Sequence, residues 1–271
     1  MIKMKRNMVM LICGILGAML LTSCRTFQIS ESTAKEAFGD LAGALVVIEC
    51  SSGRTTTCHP DVAKISLPPC STFKIVNALV GLETGILTSP DEQFYRWDGI
   101  ERSIPAWNRD LNLREAFQAS CVPAFQSLAR QIGAERMQHW IDRIEYGNRD
   151  TSAGIDLFWL PSKGRETILI SPAQQAQLMR RIVSGEVPFS DTSLSTLKKM
   201  MFIKRSDRGV LYGKTGSGTD DEGTYVFGWF VGYVESSGKT YAFACVARGK
   251  NIMGKNARAI VENILEKKGL L

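Results

Sequence analysis

Residues 69–74, Pro-Cys-Ser-Thr-Phe-Lys, run directly into the apolar segment 75–82. Apolar side chains recur in this segment at helical spacing and Gly85 follows as a stop signal, so we predict a long apolar helix over residues 71–84. Ser71 and Lys74 lie three residues apart on its first turn and therefore share one face. The sequence thus predicts a hydroxyl beside an amine at a helix start, where unpaired backbone N–H groups and the helix dipole favour negative charge.

The Ser-x-x-Lys spacing is a weak signal on its own, because it occurs four times in the chain. Only Ser71 opens a long apolar helix. The other three pairs are predicted to lie on solvated helix faces or in a turn: Ser32/Lys35, Ser195/Lys198 and Ser236/Lys239. A serine hydroxyl is a poor nucleophile without a base in hydrogen-bonding reach, and a lysine can be that base only where burial lowers its pKa from about 10.4.

The rest of the chain divides into two groups of predicted strands with a helical block between them. Helices bounded by Gly, Pro or Ser signals are predicted at residues 71–84, 113–119, 123–132, 134–144, 172–184 and 192–201. Strands are predicted at 44–49, 55–57, 210–213, 225–234 and 240–246, and an amphipathic helix at 257–268. We therefore predict one α+β domain over residues 24–271, with an antiparallel sheet built from both chain ends, flanking helices and an inserted helical lobe.

The N-terminus has the pattern of a secretory signal peptide. Three basic residues precede an uncharged run over residues 7–23, whose apolar part is shorter than the about 20 residues that span a bilayer. Its end, Leu-Thr-Ser-Cys, resembles a bacterial lipoprotein signal, in which Cys24 is acylated and anchors an exported, periplasmic protein to the membrane. The alternative is ordinary cleavage that leaves Cys24 unmodified. Removing residues 1–23 lowers the formal net charge from +6 to +3, too mild a charge to indicate a nucleic-acid partner.

The chain length and cysteine pattern limit the remaining function classes. A chain of 271 residues with 44% hydrophobic composition can form a packed core. No C-x-x-C motif occurs and His59 and His139 are the two histidines, so no metal site is predicted. Cys50 and Cys58 flank the predicted hairpin turn at 52–53, and a cross-strand disulfide would fit there. The other cysteines of the predicted domain core are interpreted as small buried hydrophobes: Cys70, Cys121 and Cys245.

Three further motifs follow the Ser71/Lys74 pair, and each occurs once: Ser120-Cys121-Val122, Tyr146-Gly147-Asn148 and Lys214-Thr215-Gly216-Ser217. In this order the motifs resemble those of the class D serine β-lactamases, the oxacillinases, whose pattern is S-T-F-K, S-x-V, Y-G-N and K-[ST]-G. The segments 81–85, 107–110 and 158–160 are similar to the family as well, so the resemblance covers nearly all of the predicted mature chain. It implies a serine β-lactamase and penicillin-binding-protein-like fold with β-lactams as substrates.

The resemblance implies roles for the motif residues. Ser71 forms the acyl-enzyme, and Lys74 reacts with carbon dioxide to give an N-carboxylated general base, with no other cofactor and no metal. Ser120 relays a proton to the leaving nitrogen; the alternative is a helix cap before Val122-Pro123. The Tyr146-Gly147-Asn148 motif is interpreted as loop architecture.

The Lys-Thr-Gly motif is expected on an edge strand beside the cleft. Lys214 and Thr215 would offer a cation and a hydroxyl to the substrate carboxylate. Gly216 lies between them and Ser217, whose backbone N–H would complete an oxyanion hole with that of Ser71. The family's carboxylate-binding arginine aligns with Ala257, which leaves Arg258 as a candidate and Arg248 as its rival.

Apolar neighbours are expected to bury Lys74 and lower its pKa: Phe73, Val122, Phe125, Trp159 and Leu160. By the resemblance, Val122 keeps this pocket dry and the indole N–H of Trp159 binds the carbamate. The alternative for these residues is ordinary core packing. The segment from Trp159 to residue 172 is about four residues longer than is usual in the family, with added charge at Lys163, Arg165 and Glu166.

Three other functions compete with this prediction. A penicillin-binding D,D-peptidase shares the motifs but retains its acyl-enzyme, and so does a non-hydrolytic β-lactam sensor. A sensor of this kind has membrane-spanning helices and a cytoplasmic protease, neither of which the sequence predicts. A Ser-His-Asp hydrolase is disfavoured because His59 precedes a proline in a predicted loop and His139 lies in the middle of a predicted helix.

Overall fold

The computed structural model describes residues 27–271, and its centre is a six-stranded antiparallel sheet with the strand order β2-β1-β8-β7-β6-β5. Two short strands form a second, separate sheet. The strands are β1 (Ala42–Glu49), β2 (Thr55–Cys58), β3 (Gln93–Tyr95), β4 (Leu111–Asn112), β5 (Phe202–Arg205), β6 (Gly209–Thr219), β7 (Tyr225–Ser236) and β8 (Lys239–Arg248).

Helices cover both faces of the large sheet and form the block between its two groups of strands. They are α1 (Glu31–Phe38), α2 (Lys74–Glu83), α3 (Leu113–Gln118), α4 (Val122–Ile132), α5 (Ala134–Ile144), α6 (Pro172–Val183), α7 (Asp191–Met201) and α8 (Gly254–Lys267). The 3₁₀ turn Cys70–Phe73 leads directly into α2. This architecture confirms the predicted α+β fold with an inserted helical lobe.

The alternation of side chains along each central strand creates two cores. In β1, Val46 and Ile48 belong to the core shared with α2 and α4–α7, whereas Leu45 and Val47 belong to the core shared with α1 and α8. Successive strand residues point to opposite faces, and both sets are buried because both faces carry helices. The sheet is therefore a fixed platform against which the N-terminal turn before α2 can be positioned.

The structure extends and corrects the predicted elements. The helix predicted at 134–144 coincides with α5, and the other predicted helices differ from the observed ones by a few residues at their ends. Strand β6 continues to Thr219, so that the Lys-Thr-Gly motif lies within a strand, and β5 adds a fourth strand to the C-terminal group. The short helix α1 and the β3–β4 sheet were not predicted, because segments of two to eight residues give little periodic signal.

The predicted disulfide between Cys50 and Cys58 is wrong, although the hairpin is confirmed. The register of the β1–β2 pair places Cys58 opposite Leu45, while Cys50 follows the end of β1. Five residues along a strand separate these positions by roughly 16 Å, far beyond the about 4.4–6.8 Å between the Cα atoms of a disulfide. Both cysteines are free thiols.

The predicted signal peptide and the acylation site at Cys24 lie outside the described residues. Within residues 27–271, no helix has both the length and the apolar character needed to cross a bilayer.

Candidate active site

Ser71 and Lys74 form a hydrogen-bonded pair at the start of α2. The Lys74 Nζ atom donates to Ser71 Oγ over 3.0 Å, and Ser71 is half-buried whereas Lys74 is completely enclosed. The turn that precedes α2 is fixed from two sides: Trp229 Nε1 donates to the Pro68 carbonyl over 2.9 Å, and the Thr72 hydroxyl donates to the Pro69 carbonyl over 2.7 Å. The hydroxyl is thus held beside the amine.

Two other Ser-x-x-Lys pairs lie in different surroundings. Lys198 and Lys239 form ion pairs with Glu235 and Glu49. The Ser195 hydroxyl donates to the Thr192 carbonyl over 3.0 Å. The Ser195/Lys198 pair lies on an exposed face of α7 and the Ser236/Lys239 pair flanks the turn between β7 and β8, as predicted, although Ser236 and the Glu49 carboxylate are themselves buried.

The amine of Lys74 lies in an aromatic pocket. Its Nζ atom is 5.4 Å from the centroid of the Phe125 ring, and the neighbouring Phe73 ring stacks on Trp159 at 5.4 Å and meets the edge of Phe158 at 4.9 Å. Because this burial penalises the charged form, it lowers the pKa of Lys74 from 10.5 to about 7. A substantial fraction of the amine is therefore neutral near neutral pH.

The five predicted pocket residues differ in burial. Phe73, Phe125 and Trp159 are completely buried, whereas Val122 and Leu160 are half-buried, and of these two Leu160 packs against the same core. The indole N–H of Trp159 has no hydrogen-bond partner among the described residues. A buried donor without a partner is rare in folded proteins, so this N–H is available to a group that enters the pocket.

Ser120 and Lys214 form a second hydrogen-bonded pair. Lys214 Nζ donates to Ser120 Oγ over 3.0 Å and to the Thr215 carbonyl over 3.0 Å. Lys214 is 4% exposed, and burial together with the charge of Lys74 lowers its pKa well below 10.5. Ser120 is not the helix cap considered above, because Cys121 occupies that position and Ser120 has a φ of 54°.

Trp107 is a supporting residue whose role the sequence did not show. Its indole N–H donates to the Ala119 carbonyl over 2.9 Å, immediately before Ser120. A left-handed backbone at a residue other than glycine needs such support from its surroundings. The segment 107–110 is similar to the family in sequence, but its contact with the turn between α3 and α4 depends on the fold.

The second half of β6 lies against the turn that carries Ser71. The pairing of β5 with β6 ends at Tyr212, so the strand from residue 213 onward has no neighbour on that side in the described part of the chain. A Cβ atom on Gly216 would lie 2.9 Å from the Pro69 carbonyl oxygen and 3.2 Å from the Thr72 nitrogen. Glycine is therefore required for this close approach, which brings the Lys-Thr-Gly motif beside the nucleophile turn.

Thr215 and Ser217 lie one residue either side of Gly216 and share the opposite face of β6. The Ser217 hydroxyl accepts a hydrogen bond from the Gly254 backbone N–H at the start of α8, over 3.0 Å. The role of the Ser217 backbone N–H in an oxyanion hole stays a prediction.

Arg258 lines the same cavity as the Lys-Thr-Gly motif, and Arg248 lies elsewhere. The cavity has a volume of about 410 Å³, and its lining includes Phe117, Lys214, Thr215 and Arg258. The Arg258 Nε atom donates to Glu262 over 2.7 Å. Arg248 is exposed at the end of β8.

The Tyr146-Gly147-Asn148 motif holds the segment that carries Trp159. Asn148 and Leu169 exchange two hydrogen bonds, from Asn148 N to Leu169 O over 3.0 Å and from Leu169 N to Asn148 Oδ1 over 2.9 Å. Gly147 has a φ of 53°, and a Cβ atom there would lie 2.0 Å from the Leu169 carbonyl oxygen. These contacts support the interpretation of the motif as loop architecture.

Comparisons with known proteins agree with this arrangement. Residues 50–266 match the family model of the penicillin-binding protein transpeptidase domain. The chain is 35% identical to the probable β-lactamase YbxI of Bacillus subtilis (strain 168), over 90% of this chain and 87% of that protein. The crystal structure of a class D β-lactamase from Bacillus subtilis superposes with a TM-score of 0.83 at 34% identity, covering 91% of this chain and 99% of the other.

A receptor domain is similar as well. The C-terminal domain of the Bacillus licheniformis BlaR penicillin receptor superposes with a TM-score of 0.81 at 31% identity, covering 90% of this chain and 96% of that domain. Four findings lead to one conclusion: the hydrogen-bonded Ser71/Lys74 pair, the Ser120/Lys214 pair beside it, the match to the transpeptidase model and the similarity to named β-lactamases. The chain belongs to the class D β-lactamase family.

Proposed function

We propose that this protein hydrolyses the amide bond of β-lactams through an acyl-enzyme on Ser71 and confers resistance to these antibiotics. The observation that carries the proposal is the 3.0 Å hydrogen bond between Lys74 Nζ and Ser71 Oγ, in a pocket that lowers the pKa of Lys74 to about 7. The amine can therefore lie beside the hydroxyl in its neutral form, as a base must.

In acylation, Ser71 Oγ attacks the carbonyl carbon of the β-lactam while the base at Lys74 takes the hydroxyl proton. The C–N bond of the ring then breaks, and Ser120 gives its proton to the leaving nitrogen while it takes one from Lys214, whose Nζ donates to Ser120 Oγ over 3.0 Å. The backbone N–H groups of Ser71 and Ser217 are the proposed donors to the carbonyl oxygen, where charge develops. These groups lie on the turn before α2, at the first residue of α2, on the turn before α4 and on strand β6.

We further propose that carbon dioxide modifies Lys74 as an N-carboxylate. Two observations fit that group: the neutral fraction of the enclosed amine, and the buried Trp159 N–H that has no partner among the described residues. When bound, the carboxylate supplies an anionic base for both acylation and the attack of water on the acyl-enzyme. Val122 and Leu160 would restrict the access of solvent to the pocket, and Trp159 would hold the carboxylate by donating a hydrogen bond.

The proposed site for the substrate carboxylate is the cavity that Lys214, Thr215 and Arg258 line. Glu262 binds the Nε edge of Arg258, which leaves the terminal guanidinium nitrogens for an anion. A charge-assisted hydrogen bond contributes about 1.5–3 kcal/mol. We therefore expect Arg258→Ala to raise KM for a penicillin about 10- to 100-fold with a smaller change in kcat, as measured by steady-state kinetics.

Arg248→Ala is the matched comparison for this prediction, because it removes the same charge from an exposed position at the end of β8. KM should stay within about twofold of the wild-type value, since an exposed charge away from the cavity contributes little. If Arg248→Ala raises KM and Arg258→Ala does not, the carboxylate site has been assigned to the wrong arginine.

The similarity to the BlaR receptor domain favours a second candidate, a sensor that is acylated and then stays acylated. The rate of deacylation distinguishes the two functions. A β-lactamase should release many equivalents of hydrolysed penicillin and chromogenic cephalosporin per equivalent of protein, whereas a sensor or D,D-peptidase should release a burst of about one equivalent. Intact-mass spectra taken during the assay should show the Ser71 adduct appear and then decay; an adduct that persists for hours would favour the sensor.

The proposed location follows from the N-terminal sequence. We propose that residues 1–23 direct export and that Cys24 carries a lipid anchor, which would place the catalytic domain on the periplasmic side of a membrane where β-lactams reach their targets.

A further inference from the structure

Asn77 is a buried polar residue that the proposed mechanism does not use. It lies in the middle of α2 and is 0% exposed. Neither the amide nitrogen nor the amide oxygen has a hydrogen-bond partner among the described residues. Leaving a buried amide without partners costs free energy, and an apolar side chain of similar size would avoid that cost. A buried polar group without partners breaks the rule that such groups are hydrogen-bonded, and exceptions of this kind are expected at functional sites.

The helix geometry places Asn77 next to Lys74. The two residues are three positions apart in α2, so their side chains are neighbours on one face. The same face packs against α4 at two points: Lys74 Nζ lies 5.4 Å from the Phe125 ring centroid, and a Cβ atom on Gly81 would lie 3.1 Å from Leu128. Asn77 lies between these two contacts, where the facing residues of α4 are apolar.

We propose that Asn77 is a positioning residue for Lys74, and that its amide holds one internal water molecule which also binds the lysine amine. This inference rests on the proposed role of Lys74 as the base. An internal water molecule needs two to four polar partners, and the Asn77 oxygen, the Asn77 nitrogen and Lys74 Nζ supply three. The amide offers both a donor and an acceptor, so the water can turn to serve the amine in its charged and its neutral form.

The effect of this water on the pKa of Lys74 depends on the charged and titratable groups around the lysine. Those that act on the lysine are the thiols of Cys70 and Cys121 and the amine of Lys214. Burial raises the pKa of both thiols, so they stay neutral near pH 7. A water held by Asn77 stabilises the ammonium form by accepting a hydrogen bond from it. Its loss should therefore lower the pKa of Lys74 further, since hydrogen bonding to the charged form favours that form.

Two variants test the inference. Asn77→Leu keeps the branched shape and the number of heavy atoms and removes both polar groups, whereas Asn77→Ser keeps a donor, an acceptor and room for water. We expect Asn77→Leu to lower the pKa of Lys74 by at least about 0.5 units and turnover by about tenfold or more, and Asn77→Ser to stay near the wild type in both. The pKa is read in buffer free of carbon dioxide, where the amine is unmodified, from the side-chain signal of carbon-13-labelled lysine, assigned by its absence in Lys74→Met.

A crystal structure of the wild-type protein supplies a readout that does not depend on activity. It should show one ordered water between Asn77 and Lys74, and Asn77→Leu should lack it. If the Asn77 amide binds only protein groups, or if Asn77→Leu folds and leaves both the Lys74 pKa and turnover unchanged, the inference is wrong even where Ser71 forms its adduct. If the wild type forms no Ser71 adduct, the proposed function fails, and the water at Asn77 can still be observed or excluded.

Discussion

Ser71→Ala should abolish both the covalent adduct and turnover. The serine oxygen is the atom that Lys74 contacts, over 3.0 Å, and alanine leaves the base with nothing to activate. Removing the nucleophile of a serine hydrolase lowers kcat by about 10⁴-fold or more, so the remaining rate should approach the background of the assay. The fold should survive, because Ser71 is half-buried and the turn is held through Thr72, Pro69 and Pro68 instead.

The matched control for this prediction is Ser195→Ala, which removes the serine of another Ser-x-x-Lys pair. The Ser195 hydroxyl is bound to the Thr192 carbonyl, and Lys198 is paired with Glu235. This variant should form the adduct at the wild-type rate. Intact-mass spectrometry and peptide mapping after brief exposure to a slowly hydrolysed β-lactam measure both variants. A label that remains in Ser71→Ala would show that another residue is the nucleophile.

Signals that are local in sequence predicted the elements that carry the site. Helix α2, which begins three residues after its predicted start, and the bounds of α5 could be predicted because the apolar spacing and the Gly and Pro signals lie within or next to the elements themselves. The Ser71/Lys74 contact could be predicted for the same reason, since residues three apart on a helical turn must be neighbours. The spacing of two residues along one helical turn is enough to predict that their side chains are in contact.

Features that depend on pairing between distant segments could not be predicted in this way. The register of the β1–β2 hairpin is set by the Glu49 N–H donating to the Arg54 carbonyl over 2.9 Å, and this turn leaves Cys50 and Cys58 far apart. The amino-acid composition does not reveal the register of a strand pair, yet the register decides whether a disulfide can form. The contact of Trp107 with Ala119 likewise depends on how the chain returns before α4.

The site combines three segments that are distant in sequence, and the sheet explains how they meet. Strand β6 is paired with β7 along its length but with β5 only to Tyr212. The uncovered half can therefore lie against the turn that carries Ser71, and it brings Lys214 within 3.0 Å of Ser120. The motifs predicted which residues meet, whereas the early end of β5 explains why this part of β6 can approach the turn.

Trp159→Phe should convert the enzyme into one that acylates normally and deacylates slowly. Phenylalanine keeps an aromatic ring to stack on Phe73, at 5.4 Å in the wild type, and removes the indole N–H that has no partner among the described residues together with part of the ring volume. If that N–H binds the carboxylate on Lys74, its loss costs about 1.5–3 kcal/mol, or about 10- to 100-fold in occupancy of the carboxylate. A base is needed a second time to activate water, so the steady-state rate should fall more than the burst.

The pH and added bicarbonate should both act on the formation of the carboxylate on Lys74. The pKa of Lys74 is lowered to about 7, so the amine is mostly protonated below that pH and neutral above it. Carbon dioxide reacts with the neutral amine, and activity should therefore fall as the pH drops through about 7. Added bicarbonate should restore part of the lost activity, and the gain should be larger in Trp159→Phe than in the wild type, because the variant holds the carboxylate less tightly.

Trp140→Phe is the matched control, since Trp140 is also a buried indole stacked on a phenylalanine, at 4.6 Å from Phe189, but lies on α5. It should leave the burst, the steady state and the response to bicarbonate unchanged. The carboxylate itself can be followed by its carbon-13 signal after exposure to labelled carbon dioxide, which should weaken in Trp159→Phe and persist in Trp140→Phe. If the wild type gives no such signal and does not respond to bicarbonate, Lys74 acts as a plain amine, and the unpaired N–H of Trp159 serves another purpose.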